Sequence, residues 1–376
     1  MIATNLLMRR KILFFILLII LLISIPLFIW SRVSKTEKMP KNLPAPTVTI
    51  PQKLLLIKGS IPYWDQEKAL LSFEKNIETF NYVNLFWYYL SPNGDINKYE
   101  YANEDLSIIE FAHQNNVKVG AVITNLPEFS GADWNDSGLV EKVIRDKNKS
   151  EEHIKAIINK LNEVNFDGVI IDYEQLDTSA KNDFTNFIRD LSSAVHKNNK
   201  FLSVVLHPKT SDNNPDENGK FQDWKQLSLY ADQIQIMGYG EHWDNSLSGP
   251  IASVSWLKRI LDYSKSVDIP KEKIFLGIPL YGYDWDTSSG ENATDLTYQD
   301  VEKLLLDFNI KEEWDDKSQS SYFNYTDKNN HKHEVWFENQ RSIEAKINIA
   351  KSYDLSGITF WRLGEEDPRI WSIIRL

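Results

Sequence analysis

The sequence predicts a (β/α)8 TIM barrel of the α/β class, with a small α+β insertion between strand 7 and helix 7 and one N-terminal transmembrane helix ahead of it. Three observations lead there. From Lys53 to the C-terminus, short apolar runs alternate with amphipathic helical stretches, the pattern of parallel strands joined by crossovers. Eight such units fit a closed barrel better than an open doubly wound sheet, which would carry a glycine-rich phosphate turn after an early strand. The third observation is the run from Ile12 to Trp30, which contains no charge and matches the roughly 20 residues needed to span a bilayer.

Taken in order, residues 1–11 read as a short cytoplasmic N-terminus and 12–30 as the membrane anchor. Pro26 is tolerated near the end of such a helix. The residues that follow, Ser31, Arg32, Val33 and Ser34, make a poor cleavage site, which favours a retained anchor over a cleaved signal that would release a secreted protein. Arg9, Arg10 and Lys11 favour an inside N-terminus, while Arg32, Lys35, Lys38 and Lys41 oppose it, so the charge rule acts weakly. The stretch 31–52, with Pro40, Pro44, Pro46 and Pro51, is a semi-extended linker. This arrangement predicts a single-pass protein of the cell membrane with its large domain outside.

The barrel domain covers 53–376. Its strand candidates are "KLLLIKGSIPYW", "YVNLFWYYL", "VKVGAVITNL", "FDGVIIDYE", "KFLSVVLHP", "ADQIQIMGYG", "KIFLGIPLYG" and "LSGITFWRL". Helical patterns such as "SEEHIKAIINKLNEVN" and "AKNDFTNFIRDLSSAVHKNN" lie between them, with Ser150 as the expected start of the first. The polar segment at about 286–335 is the expected insertion.

Composition narrows the function. The net charge of −11 and pI near 5.2 exclude the basic face of a nucleic-acid binder. The 12 Trp, 16 Tyr and 18 Phe are a rich aromatic supply, much of it for the core, and a flat apolar ring also suits a sugar face. With no cysteine there is neither a disulfide nor a thiolate metal site. Of seven His, only His331 and His333 lie close together, in a polar stretch that reads as a solvated hairpin. No metal and no cofactor is expected, and the chain is expected to be a monomer.

The stretch "FDGVIIDYE" carries the chemistry. Side chains two apart on a strand share a face, so Ile170, Asp172 and Glu174 point inward while Val169, Ile171 and Tyr173 point to the helices. Two carboxylates roughly 6–7 Å apart along one strand, in a dry pocket, raise each other's proton affinity. One of them then stays protonated near neutral pH, as a general acid requires. Acids at a strand end that simply face water are the plainer alternative. Asp167 opens the motif as a turn residue.

These residues resemble glycoside hydrolase family 18, the chitinase-like group. "FDGVIIDYE" is similar to that family's Asp-x-x-Asp-x-Asp-x-Glu motif. "MGYGEHW", "LGIPLYGYDW" and "GITFWRLGEEDPRIW" resemble its segments on strands six, seven and eight. "VVLHPKT" and "VWFENQRS" look like the bacterial subgroup of spore-cortex and peptidoglycan N-acetylglucosaminidases. The resemblance implies a retaining hydrolase of N-acetylglucosamine-containing polysaccharide. In it Glu174 is the general acid, and the substrate's own acetamido oxygen is the nucleophile. Asp172 would hold the acetamido N–H, Tyr239 would donate to the acetamido oxygen, and Trp361 would floor the sugar site. Met237 and Tyr63 are further candidate substrate contacts.

Three positions depart from the family pattern. Ile170 stands where chitinases carry an Asp, Gly240 replaces an Asp after Tyr239, with Glu241 or His242 as substitutes, and Asn339 follows "WFE" in place of an Asp. Each is expected to remove a carboxylate near the cleft. These departures keep open a lectin-like barrel that binds glycan without cutting it. A membrane protein whose barrel only contacts partners is a third, weaker reading.

Overall fold

The computed structural model describes residues 54–91, 93–126, 137–212, 218–289 and 292–374. The expected N-terminus at 1–11, the span at 12–30 and the linker at 31–52 lie outside the described residues. Among the described residues, no helix is long and apolar enough to cross a membrane.

Eight parallel strands close into a barrel: β1 (Leu56–Pro62), β2 (Tyr82–Leu90), β4 (Lys118–Thr124), β5 (Gly168–Asp172), β6 (Phe201–Leu206), β7 (Gln233–Ile236), β8 (Ile274–Pro279) and β14 (Gly357–Trp361). The closure is made by β1, which pairs with both β14 and β2. A short strand, β3 (Ile96–Lys98), adds antiparallel to the end of β2. Helices follow the barrel strands, among them Gln66–Lys75, Leu106–Gln114, Lys147–Glu163, Lys181–Lys197, Val254–Ser266 and Gln340–Ser352. Ser150 does not open its helix. Asp146 does so, its side chain accepting from the N–H groups of Asn148 and Lys149, because a carboxylate caps the positive helix end better than a hydroxyl one turn further in.

The barrel interior is less apolar than its strands suggest. Lys58 is fully buried, with Nζ donating to Gln233 Oε1 at 2.5 Å and lying 3.9 Å from the centre of the Phe275 ring. Burial holds its amine well below the usual lysine range. One layer above, Asn84 Nδ2 donates to Gln235 Oε1 at 3.1 Å. On the outer face of β5, Tyr173 Oη meets His153 Nε2 at 2.6 Å, and His153 Nδ1 meets Gly94 O at 2.7 Å. Tyr173 therefore points at the helices, as the period-2 reading of the strand requires.

The insertion is an antiparallel sheet in the order β10-β9-β13-β12-β11. Its strands are β9 (Gly282–Asp286), β10 (Thr294–Leu296), β11 (Glu313–Asp315), β12 (Ser320–Thr326) and β13 (Lys332–Phe337), with a helix at Tyr298–Asp307. Leu296, Tyr298, Val301, Phe323, Val335 and Phe337 give it a small core of its own. His331 and His333 lie in and beside β13, where their Nδ1 atoms pair with Asp286 and Asp284 at 2.8 Å each.

Barrel closure leaves no space at β14. A Cβ at Gly357 would stand 2.1 Å from Leu56 O and 2.7 Å from the Phe275 ring. Gly357→Ala is expected to cost about 3 kcal/mol and to lower the melting temperature by at least ~5 °C. Gly138→Ala, where a Cβ meets nothing within 4 Å, is expected to be neutral or slightly stabilising in its helix. Thermal unfolding of the two variants checks this; equal melting temperatures would contradict it.

Candidate active site

The site is built where β5, β7 and β14 end. Parallel pairing sets Val122 beside Ile170 and Thr124 beside Asp172, so the inward-facing residues form layers that rise to the C-terminal mouth. Ile170, Asp172, Met237, Tyr239, Thr359 and Trp361 line a cavity there, together with Ser60, Asn84 and Gln235 from the layer around Ile170. Four of the six predicted site residues are thus brought together. Glu174 does not line this cavity. It stands beyond the end of β5, its side chain 17% exposed and 3.1 Å from His207 Nε2.

Asp172 is the electrostatic centre. Its Oδ1 is sealed from water and has no hydrogen-bond partner. Burial, and secondarily the charge of Glu174, push its carboxyl well above the usual 3.8. A buried carboxyl with an open acceptor is costly, and it is poised to accept from whatever enters the mouth. Beneath it Ile170 is apolar, as the sequence says, and fills space that a side chain at Gly120 would occupy: a Cβ there would lie 2.2 Å from Ile170 Cδ1. Tyr239 is close enough that burial, Asp172 and Glu174 together push its hydroxyl well above its usual range, so it stays a neutral donor.

Two devices hold Glu174. Asn125, just past β4, donates from Nδ2 to Glu174 O at 2.9 Å and accepts from Glu174 N at 2.8 Å. One side-chain amide thereby continues the sheet ladder beyond the last backbone pair. The next residue, Gln175, then turns the chain with a φ of 60°, in the left-handed region. Trp361 supplies a broad apolar wall, 5.5 Å from Phe86 and 6.0 Å from Trp64 between ring centres; Trp64 is 51% exposed and extends that surface outward.

The other candidates sit elsewhere. Tyr63 lies in the turn after β1, stacked on Tyr99 at 4.2 Å and Phe86 at 6.4 Å, and does not line the cavity. Gly240 has a φ of 83°, which an L residue adopts only with strain. Glu241 and His242 do not turn into the site in its place. Glu241 Oε2 accepts from Ser253 N at 2.6 Å, and His242 Nδ1 meets Leu247 O at 2.8 Å. Asn339 is not a cleft residue but a buried cap, accepting from Ser342 N at 3.1 Å and donating to Ser321 Oγ at 2.8 Å. A cap needs an acceptor oxygen and not a charge, so an amide serves. Asp167 Oδ2 accepts from Val119 N at 2.7 Å and pairs with His113 at 2.9 Å, a structural tie. Sequence reasoning missed Asn125 and His207. Both directly follow a barrel strand's last residue, which was the available signal.

The strain at Asp172 gives a pH-dependent test. A carboxyl whose proton affinity is raised by folding binds its proton more tightly in the native state. Native stability from that proton is present below the usual 3.8 and is lost as pH rises toward the raised value. Asp172→Asn removes the penalty. It is expected to raise the melting temperature by roughly 2–4 °C at neutral pH, with the gain shrinking toward nothing as pH falls to about 4. A pH-independent difference, or a less stable variant at neutral pH, would contradict the burial of an unpaired carboxyl.

Residues 61–366 match the family model described as glycosyl hydrolases family 18. An uncharacterized glycosylase of Bacillus subtilis (strain 168), YvbX, is 31% identical over 268 residues, 71% of this chain and 77% of that protein. The cortical fragment-lytic enzyme of Bacillus anthracis is 27% identical over 315 residues, 82% of this chain and 70% of that one. The crystal structure of the Bacillus megaterium QM B1551 spore cortex-lytic enzyme SleL shares the fold, with a TM-score of 0.77 at 24% identity, covering 89% of this chain and 75% of that one. The chain belongs to glycosyl hydrolase family 18.

Proposed function

We propose that this family 18 glycosidase is a retaining enzyme that cleaves β-1,4 bonds of an N-acetylglucosamine-containing glycan, with peptidoglycan as the preferred substrate and chitin-type oligomers also accepted. The observation that carries the reading is the buried, unpartnered Oδ1 of Asp172 beside the neutral hydroxyl of Tyr239, at the mouth of the barrel. An acetamido group answers both. Its N–H donates to Asp172 and its oxygen accepts from Tyr239, which aims that oxygen at the anomeric carbon. Glu174 protonates the glycosidic oxygen as the bond to the leaving sugar breaks. The acetamido oxygen bonds to the anomeric carbon, and the positive charge of the resulting oxazolinium ion is stabilised by Asp172. Glu174, now a carboxylate, takes a proton from water as water opens the ring, so the configuration is retained. Trp361 provides the apolar floor under the sugar.

The preference for peptidoglycan draws on the cortical fragment-lytic relative and on the expected anchor at 12–30. The proposed location is the cell membrane, single-pass, with the barrel extracytoplasmic and acting as a monomer. An outward-facing enzyme on a short linker meets cell-wall glycan first. The presence of Glu174 weighs against the lectin-like reading.

Glu174→Gln keeps the shape and the backbone ties to Asn125 but carries no transferable proton. Turnover on an unactivated N-acetylglucosamine oligomer or on purified cell-wall glycan is expected to fall by about 10²–10⁴-fold with binding little changed. The unmodified enzyme is expected to leave fully deacetylated glycan uncut. A variant with near-normal rates would remove Glu174 as the acid, and equal cleavage of deacetylated glycan would replace the acetamido group with a protein nucleophile.

A further inference from the structure

His207 stands immediately after β6, and the reaction proposed above makes no use of it. Its side chain is 11% exposed, and its Nε2 lies 3.1 Å from Glu174 Oε2. That nitrogen is sealed from water and makes no well-directed hydrogen bond, so a small rotation of the carboxyl toward it gains a bond at little cost. The backbone at His207 is held from behind, which places the ring. His207 N donates to Gln222 Oε1 at 2.8 Å, Gln222 Nε2 donates to Val205 O at 3.0 Å, and Lys209 Nζ donates to Gln222 O at 2.6 Å. Gly219 leaves room for this packing, since a Cβ there would approach His207 Cβ to 3.0 Å. A histidine that served only to fill the loop would not need to point its buried nitrogen at a carboxylate.

We infer that His207 is a positioning residue for Glu174: its Nε2–H donates to Oε2 and confines the transferable proton to Oε1, turned toward the scissile bond. A carboxylic acid has two oxygens and one proton. Where one oxygen accepts from a fixed donor, the proton resides on the other, so the acid is oriented before substrate arrives. Asn125 ties the Glu174 backbone, and the bond from His207 Nε2 adds a tie at the head of the side chain. The inference rests on the assignment of Glu174 as general acid.

The test uses two substrates that differ in their need for that proton: an N-acetylglucosamine oligomer, and the corresponding 2,4-dinitrophenyl glycoside, whose leaving group departs unprotonated. His207→Leu is expected to lower kcat/KM on the oligomer by about 10–100-fold through kcat, with KM nearly unchanged, and by less than about 3-fold on the dinitrophenyl glycoside. His207→Gln, whose amide N–H reaches toward the same oxygen, is expected to recover most of the loss. Should the leucine variant fail to fold, His207→Asn, with an amide too short to reach Glu174, should show the same selective loss. Equal losses on both substrates, or none on the oligomer, would overturn the inference. Glu174→Gln measured in parallel separates the two claims. If it is inactive on the oligomer while the His207 variants are normal, the positioning role alone falls; if it is active, the acid assignment falls and takes the positioning role with it.

Discussion

The structure turns on the Asp172 carboxyl, held inside a barrel mouth with an acceptor oxygen that has no hydrogen-bond partner. Keeping it there costs stability, and the surroundings are arranged so that it cannot relieve the cost internally. Ile170 below it offers no donor. Gly240 keeps the residue after Tyr239 without a side chain. In the layer beneath, Asn84 Nδ2 is turned to Gln235 Oε1. Under the proposed function the donor that answers Asp172 is the acetamido N–H, whose binding energy is then realised at the reacting end of the sugar.

Around that group the site divides its labour between strands. β5 supplies Asp172 and the chain just beyond it supplies Glu174, and closure of the barrel through β1 and β14 brings Trp361 to the cavity that Asp172 lines. Position is held from outside the strands. Asn125 extends the β4–β5 ladder by one residue in side-chain form. The final segment is tied down as well, with Glu366 accepting from Gly364 N at 2.7 Å and Asp367 accepting from Gln340 N at 2.8 Å. The insertion sheet adds its own aromatic layer, with Tyr281 and Tyr283 at 5.5 Å between ring centres near Tyr239.

Much of this was legible in the residues because strand periodicity is strict. Once "FDGVIIDYE" was read as a strand, the period of two fixed which side chains faced inward, and Tyr173 pairs outward with His153 accordingly. The barrel followed from alternation and the insertion from polarity. What stayed hidden depended on contacts distant in sequence. Asn125 and Glu174 are 49 residues apart, so an asparagine after a strand looks like turn chemistry until the barrel brings the two together. His207 is concealed in the same way. Asn339 misled because a helix cap and a cleft acid draw on the same residue types. Tyr63 was open to either reading, because an aromatic residue at a strand end can stack on a neighbour, here Tyr99, as readily as on a sugar.

The central claim is that burial raises the proton affinity of Asp172 in the free enzyme, and that a positively charged sugar intermediate beside it opposes that shift. Carboxyl 13C NMR of aspartate-labelled protein, titrated with and without a thiazoline analogue of that intermediate, addresses it directly. The account predicts that Asp172 titrates well above the usual 3.8 in the free enzyme and gives up its proton at lower pH when the analogue is bound, because a cation at the site favours the charged carboxylate. A carboxyl that titrates in the usual range without the analogue, and does not move when it binds, would contradict the account.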